Sequence, residues 1–160
     1  GGPGVMAVDA APPAVLPEGY HLVDGTEVTA EEKGTAHAAA FGYLDEAPYP
    51  ERAVVGFRRM MATPDYRADL DIHVRAPDGS LASFATLWYD ATNQIGILEP
   101  VGTVPAHRKL GLGRAAIAEA VSRARAEGAV KVHVGSDQRF YQRLGFVIRP
   151  KYTVWQKLVG

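Results

Sequence analysis

The segment between residues 94 and 134 constrains the fold most, because two apolar strands flank a long amphipathic helix there. Residues 94–104 predict a strand, and alternating valines between 130 and 134 predict a second one. The helix between them carries an apolar stripe formed by Leu112, Ala116, Ile117, Ala120, Val121 and Ala124. Gly128 is typical of a helix end. A right-handed crossover would place the two strands parallel.

The residues before this unit predict an antiparallel meander. Leu70, Ile72 and Val74 alternate with polar residues, which predicts a half-buried strand. The turn formed by Pro77-Asp78-Gly79 leads into a strand over residues 80–89, and a polar turn over residues 90–93 joins that strand to the next.

The first helix has clear start and stop signals. After a strand through Tyr20 to Val23, Thr29 and Glu32 form a T-x-x-E capping box. The helix is expected to continue to about Phe41, where Gly42 ends it.

Further elements complete the fold prediction. Pro50 suits the first turn of a second helix, whose predicted buried stripe consists of Val54, Phe57 and Met61. Residues 138–144 predict a short helix, followed by two final strands. The expected fold class is α/β (α+β), with a mixed, mostly antiparallel sheet, helices on both faces and a parallel β-α-β core.

Length and the first residues indicate a single domain. The chain has 160 residues, enough for one well-packed domain. Residues 1–17 lack periodicity and are rich in Gly, Ala and Pro, so we expect a flexible arm, a linker or a vector remnant there. The domain is expected to span residues 18–160.

Composition excludes several classes of function. The absence of cysteine excludes a disulfide framework and a thiolate metal site, and it favours the cytoplasm. The formal charge of -1 offers no general attraction for nucleic acid, and no apolar run reaches the roughly 20 residues of a membrane span. We therefore expect no metal, no nucleic acid and no membrane as partners.

The loop from Pro105 to Arg114 carries the chemistry. Glycines at 111 and 113 let the backbone approach a ligand, and the free amides and dipole of the following helix favour an anion. Arg108 and Lys109 add positive charge. A pyrophosphate would fit this loop, and an ordinary basic helix start that contains glycine is the alternative. The loop lacks both the G-K-[ST] of a P-loop and the spacing G-x-G-x-x-G, which disfavours a nucleoside triphosphate or a dinucleotide as its ligand.

Two motifs resemble those of a known family. Residues 101–114 end in P-x-x-R-x-x-G-x-G, and Phe140-Tyr141-Gln142-Arg143-Leu144-Gly145-Phe146 follows about thirty residues later. In this order and spacing they are similar to the signature of the GNAT N-acetyltransferases. The resemblance is clear from Ile95 to Ile148.

The resemblance implies acetyl-coenzyme A as cosubstrate and an amine as acceptor, with direct transfer in a ternary complex. The pyrophosphate would lie on backbone amides of residues 108–114, and the pantetheine arm would pair with the strand at residues 101–104. One departure is Val134, which stands where many relatives have Asn. The implied cofactor-binding residues are Val101, Thr103, Val104, Arg108, Lys109, Leu110, Gly111, Leu112, Gly113 and Arg114.

Two catalytic residues are predicted. Tyr141 matches the family tyrosine and is the candidate general acid, because a phenol stays protonated at neutral pH. Glu99 interrupts an apolar strand beside Pro100 and is the candidate base for an ammonium substrate. The alternatives are a core aromatic for Tyr141 and an ordinary rim charge for Glu99.

Alternatives also stay open at the level of function. The chain could be a non-catalytic acyl-coenzyme A binding module, and a homodimer or a neighbouring domain of a longer protein is compatible with the sequence. The acceptor is open among small amines, aminoglycosides, amino acids and protein termini, because loops outside the motifs select it.

Overall fold

A mixed seven-stranded sheet forms the centre of the structure, a computed structural model that describes residues 3–10, 13 and 15–148. The strands and helices follow one another as β1 (Gly4–Ala7), β2 (His21–Asp24), α1 (Ala30–Phe41), α2 (Tyr49–Met61), β3 (Asp71–Arg75), β4 (Leu81–Asp90), β5 (Ile95–Thr103), α3 (Leu112–Ala126), β6 (Lys131–Val134), α4 (Arg139–Arg143) and β7 (Val147–Ile148).

The sheet has the order β2-β3-β4-β5-β6-β1-β7, and β5 and β6 form its parallel pair. This pairing runs from Ile95 opposite Lys131 to Leu98 opposite Val134. The other pairs are antiparallel. The predicted fold class is therefore confirmed, including the parallel β5-α3-β6 unit.

The helices cover both faces of the sheet. Alternate residues of β4 separate the two layers, since Ala85 and Leu87 belong to the core that α3 shares, whereas Phe84 packs in a second cluster with Ala36 and Ala40 of α1. Among the described helices, none combines the length and the apolar character needed to cross a membrane.

Local signals in the sequence explain most helix ends. Thr29 and Glu32 form the capping box reciprocally, and Gly42 ends α1 in the left-handed region with φ of 81°. The predicted stripe of α2 is only half-buried, and no residue of α2 is fully buried. The expectation of a buried stripe was wrong because α2 packs on α1 at the edge of the domain rather than over the sheet.

The N-terminal residues correct the expectation of a flexible arm. Gly4–Ala7 form β1, which inserts between β6 and β7 and pairs antiparallel with both. Met6 is buried in the main core. The pairing partners lie more than a hundred residues away in the sequence, so composition alone did not indicate this strand.

The burial of β3 also differs from the prediction. The strand was predicted to be half-buried, yet its polar residues Asp71 and His73 are as buried as Ile72 and Val74. They face α1 and the segment after α2, which cover this side of β3 and supply polar partners. Of the two predicted final strands, β7 is present as Val147–Ile148, and the other lies outside the described residues.

Candidate active site

A cavity of about 550 Å³ opens where β5, the N-terminus of α3 and α4 meet. Its wall includes Val101 and Thr103 of β5, the loop before α3, and Tyr141 of α4. The two predicted motifs, which are separated in sequence, thus line one cavity. Its location beyond the last β5-β6 pair follows from the end of the parallel pairing at Leu98 and Val134.

The backbone of the loop before α3 leaves amides free for a ligand. The first helical hydrogen bond joins the Ala115 amide to the Gly111 carbonyl, at 3.0 Å. The amides of residues 112–114 therefore have no hydrogen-bond acceptor within the helix. Gly111 has φ of 78°, and a Cβ added there would meet no atom within 4 Å. The helix dipole and these amides together favour an anion.

The side chains around the cavity are strongly cationic. Arg108, Lys109, Arg114 and Arg143 line it, and among the described lining residues there is no Asp or Glu. Neither the Lys109 ammonium nor the Arg114 guanidinium forms an ion pair or a hydrogen bond with another described residue. Their charges therefore remain available to a phosphate group.

The predicted cofactor residues line this cavity with two exceptions, Val104 and Leu110. Val104 packs instead against the second core cluster, which contains Ala40 and Phe84, and Leu110 is exposed to solvent. Arg108 does line the cavity, but its guanidinium donates to the backbone carbonyls of Thr103, at 3.2 Å, and of Ala40, at 2.8 Å. Arg108 thus also holds α1 to the end of β5.

Tyr141 lies between the core and the cavity. Its side chain is 8% exposed, and its ring contacts those of Phe140 and Phe146 edge-on, with centroids 5.0 and 5.8 Å away. Its hydroxyl makes no hydrogen bond within the described residues. Burial raises the pKa of this phenol above its ordinary value of 10.0, so it is protonated at neutral pH.

Glu99 lies on β5, two residues before Val101, and it does not line the cavity. Its side chain is exposed, at a bulge where the pairing of β4 with β5 is interrupted. The structure places Glu99 and Tyr141 on neighbouring elements of the same end of the sheet, but it brings only Tyr141 into the cavity wall.

Other residues of the cavity were not predicted from the sequence. Phe140 and Arg143 belong to the second motif, so their spacing around Tyr141 on a short helix was the available signal. No local signal indicated the contributions of α1 or of the segment before α4. These unpredicted lining residues are Ala40, Phe41, His107, Gln138, Phe140 and Arg143.

Comparison with known proteins identifies a family. The family model described as the acetyltransferase (GNAT) family matches residues 39–146, which include the whole cavity loop and α4. No curated protein sequence matches the chain.

Solved structures show the same fold. A GCN5-related N-acetyltransferase from Sphaerobacter thermophilus superposes with a TM-score of 0.73 at 20% identity, over 92% of this chain and 48% of that one. A tandem GNAT protein from the clavulanic acid biosynthesis pathway superposes with a TM-score of 0.64 at 16% identity, over 92% of this chain and 49% of that one. A Pyrococcus furiosus protein named as a putative acetyl transferase superposes with a TM-score of 0.61 at 19% identity, over 88% of this chain and 99% of that one. The chain thus spans about half the length of the first two and nearly all of the third.

Proposed function

The chain belongs to the acetyltransferase (GNAT) family, and we propose that it transfers an acetyl group from acetyl-coenzyme A to a primary amine. The proposal rests on one cavity whose wall contains both a cationic helix N-terminus and Tyr141. An anionic ligand with a reactive end some distance from its phosphates matches this combination.

The residues present fit coenzyme A. The free amides of residues 112–114 and the open space at Gly111 suit the pyrophosphate, and Lys109 and Arg114 supply compensating charge. Val101 and Thr103, on the strand that borders the cavity, suit the pantetheine arm. The acetyl end would then lie toward Tyr141.

The chemistry assigned to the chain's residues is acid-base catalysis of direct transfer. Glu99 accepts a proton from the substrate ammonium, directly or through water, and the resulting amine attacks the thioester carbonyl. The C–N bond forms, and the C–S bond breaks as Tyr141 donates its phenolic proton to the sulfur. Tyr141 regains a proton from the acylated nitrogen, so the products are an amide, free coenzyme A and the proton held by Glu99.

Thiol release tests this function directly. The chain contains no cysteine, so a thiol-reactive dye reports only the coenzyme A product. The protein would be mixed with acetyl-coenzyme A and a panel containing small amines, an aminoglycoside, amino acids and a short peptide. We expect amine-dependent thiol release with at least one acceptor. Tight binding of acetyl-coenzyme A with no release across the panel would favour a non-catalytic acyl-coenzyme A binding module instead.

A further inference from the structure

The bulge between β4 and β5 exposes the backbone at Glu99. Ala85 pairs with Val101 and Leu87 pairs with Leu98, so Thr86 on β4 faces two residues of β5, Glu99 and Pro100. Proline has no amide hydrogen to donate to the ladder. The regular pairing therefore does not fix the direction of β5 at this point, and other contacts must do so.

Trp88 supplies one such contact. Its indole nitrogen donates to the backbone carbonyl of Glu99, at 2.8 Å. Trp88, Thr86 and Phe84 occupy alternate positions of β4, so they lie on the face of the sheet that α1 covers. A side-chain hydrogen bond thus replaces the ladder where the bulge interrupts it.

Tyr66 holds the Trp88 ring in turn. The two rings meet edge-on with centroids 6.4 Å apart. The Tyr66 hydroxyl donates to Oδ2 of Asp71, at 2.6 Å, which is a short bond to an ionised acceptor. Tyr66 therefore has little freedom to rotate, and neither does the indole beside it.

Asp71 is a buried anchor for both sides of the bulge. The Thr86 hydroxyl donates to its Oδ1, at 2.7 Å, and the Lys33 ammonium pairs with its Oδ2. Thr86 is the residue that faces Glu99 and Pro100 across the bulge. The same carboxylate thus fixes the strand opposite Glu99 and, through Tyr66, the ring that bonds to Glu99.

We propose that Trp88 and Tyr66 are positioning residues that hold Glu99 at the bulge for proton transfer, with Asp71 as their anchor. This inference rests on the proposed function, in which Glu99 is the base. If Trp88 acts through Glu99, substitution of Trp88 should no longer lower kcat once the Glu99 carboxylate is removed. If the indole only stabilises the fold, substitution of Trp88 should lower kcat equally with and without the carboxylate.

A double-mutant cycle separates these cases, using amine-dependent thiol release from acetyl-coenzyme A by the full chain. Trp88→Phe keeps an aromatic ring but removes the donor, and we expect kcat to fall about 10-fold to 100-fold, as a displaced catalytic group does. Acetyl-coenzyme A affinity should stay within about twofold, because Trp88 does not line the cavity. In the Glu99→Gln background the same substitution should change kcat less than about twofold.

Tyr89→Phe is the matched control. It removes a hydroxyl from the neighbouring residue of β4, where that group donates to the backbone carbonyl of Glu127 at 3.1 Å. The control should leave kcat unchanged. If Trp88→Phe does not fold, Tyr66→Phe carries the same test, because it frees the indole by removing the bond to Asp71.

Each other outcome identifies what is wrong. Parental kcat for Trp88→Phe, or an equal loss in both backgrounds, would overturn the positioning role alone. Parental activity of Glu99→Gln would overturn that role and remove Glu99 from the mechanism, while acetyl transfer itself would stand. Absence of thiol release by the parent would contradict the proposed function together with this inference.

Discussion

At the scale of single residues, Tyr141 has the environment that a general acid needs. Burial keeps its phenol protonated, and the ring is held by Phe140 and Phe146, while the hydroxyl makes no bond to a described residue. The hydroxyl is neither a buried atom without a partner nor bonded to a described residue, so it is available to donate to a ligand.

Substitution of Tyr141 by Phe should separate chemistry from packing. Phe keeps the ring contacts, so we expect thermal stability and acetyl-coenzyme A affinity close to those of the parent. Single-turnover transfer should slow by about 10² to 10⁴, as for a lost general acid. Melting temperature and transfer would be measured on the same preparation. A lower melting temperature with unchanged transfer per folded molecule would assign the hydroxyl to structure.

The residues found from the sequence share one property, which is membership in a contiguous motif. Gly111 and Tyr141 were predicted because loop and helix spacing reveals them locally. Ala40 of α1 and the bond from Trp88 to Glu99 were not, since both depend on how distant elements pack. Tyr141 lies in the cavity wall and Glu99 lies outside it, and the catalytic role of each stays a prediction.

At the scale of elements, the same distinction holds. The sequence predicted α1 and α3 within a residue or two, because a capping box, a glycine stop and an apolar stripe are local signals. It missed β1, whose pairing partners β6 and β7 lie at the other end of the chain. It also missed that β3 is buried on both faces.

The buried pair of Lys33 and Asp71 joins α1 to β3 and is expected to dominate their docking. Burial lowers the pKa of Lys33, and Asp71 opposes that shift. Lys33→Met should reduce the free energy of unfolding by about 3–5 kcal/mol, because the buried Asp71 carboxylate loses its ammonium partner. Denaturant unfolding would measure this loss.

Arg58→Met is the matched control for Lys33→Met. Arg58 of α2 pairs with Glu31 of α1, and both side chains are largely exposed. Solvent screens such a pair, so the control should leave stability nearly unchanged. Equal losses in the two variants would contradict a special contribution of the buried pair.

At the scale of the whole molecule, stability should depend on pH through its buried histidines. Burial lowers the pKa of His73, with Asp71 opposing, and burial also lowers the pKa values of His37 and His133. Below the ordinary value of 6.5, the unfolded chain binds protons that the folded chain does not. The free energy of unfolding should therefore fall as pH decreases from about 7.5 to about 5.

His73→Gln tests the contribution of the fully buried histidine to this slope. Asp71 also has a pKa below its ordinary value, but that shift affects stability only near and below 3.8, outside the measured range. Urea titrations at several pH values should give a shallower decrease for the variant than for the parent. Parallel curves would show that His73 is protonated equally in both states.

We propose that the loop before α3 binds the pyrophosphate of acetyl-coenzyme A, and calorimetric titration of Gly111→Asp with acetyl-coenzyme A tests this binding site. A carboxylate there would enter the open space at the free amides, so affinity should fall at least about tenfold. Gly79→Asp is the control, since Gly79 also has a positive φ, 86°, and open space, but lies away from the cavity. We expect the folded Gly79→Asp protein to keep the parental affinity for acetyl-coenzyme A and the Gly111→Asp protein to lose it. Parental affinity in a folded Gly111→Asp protein would contradict the proposed binding site.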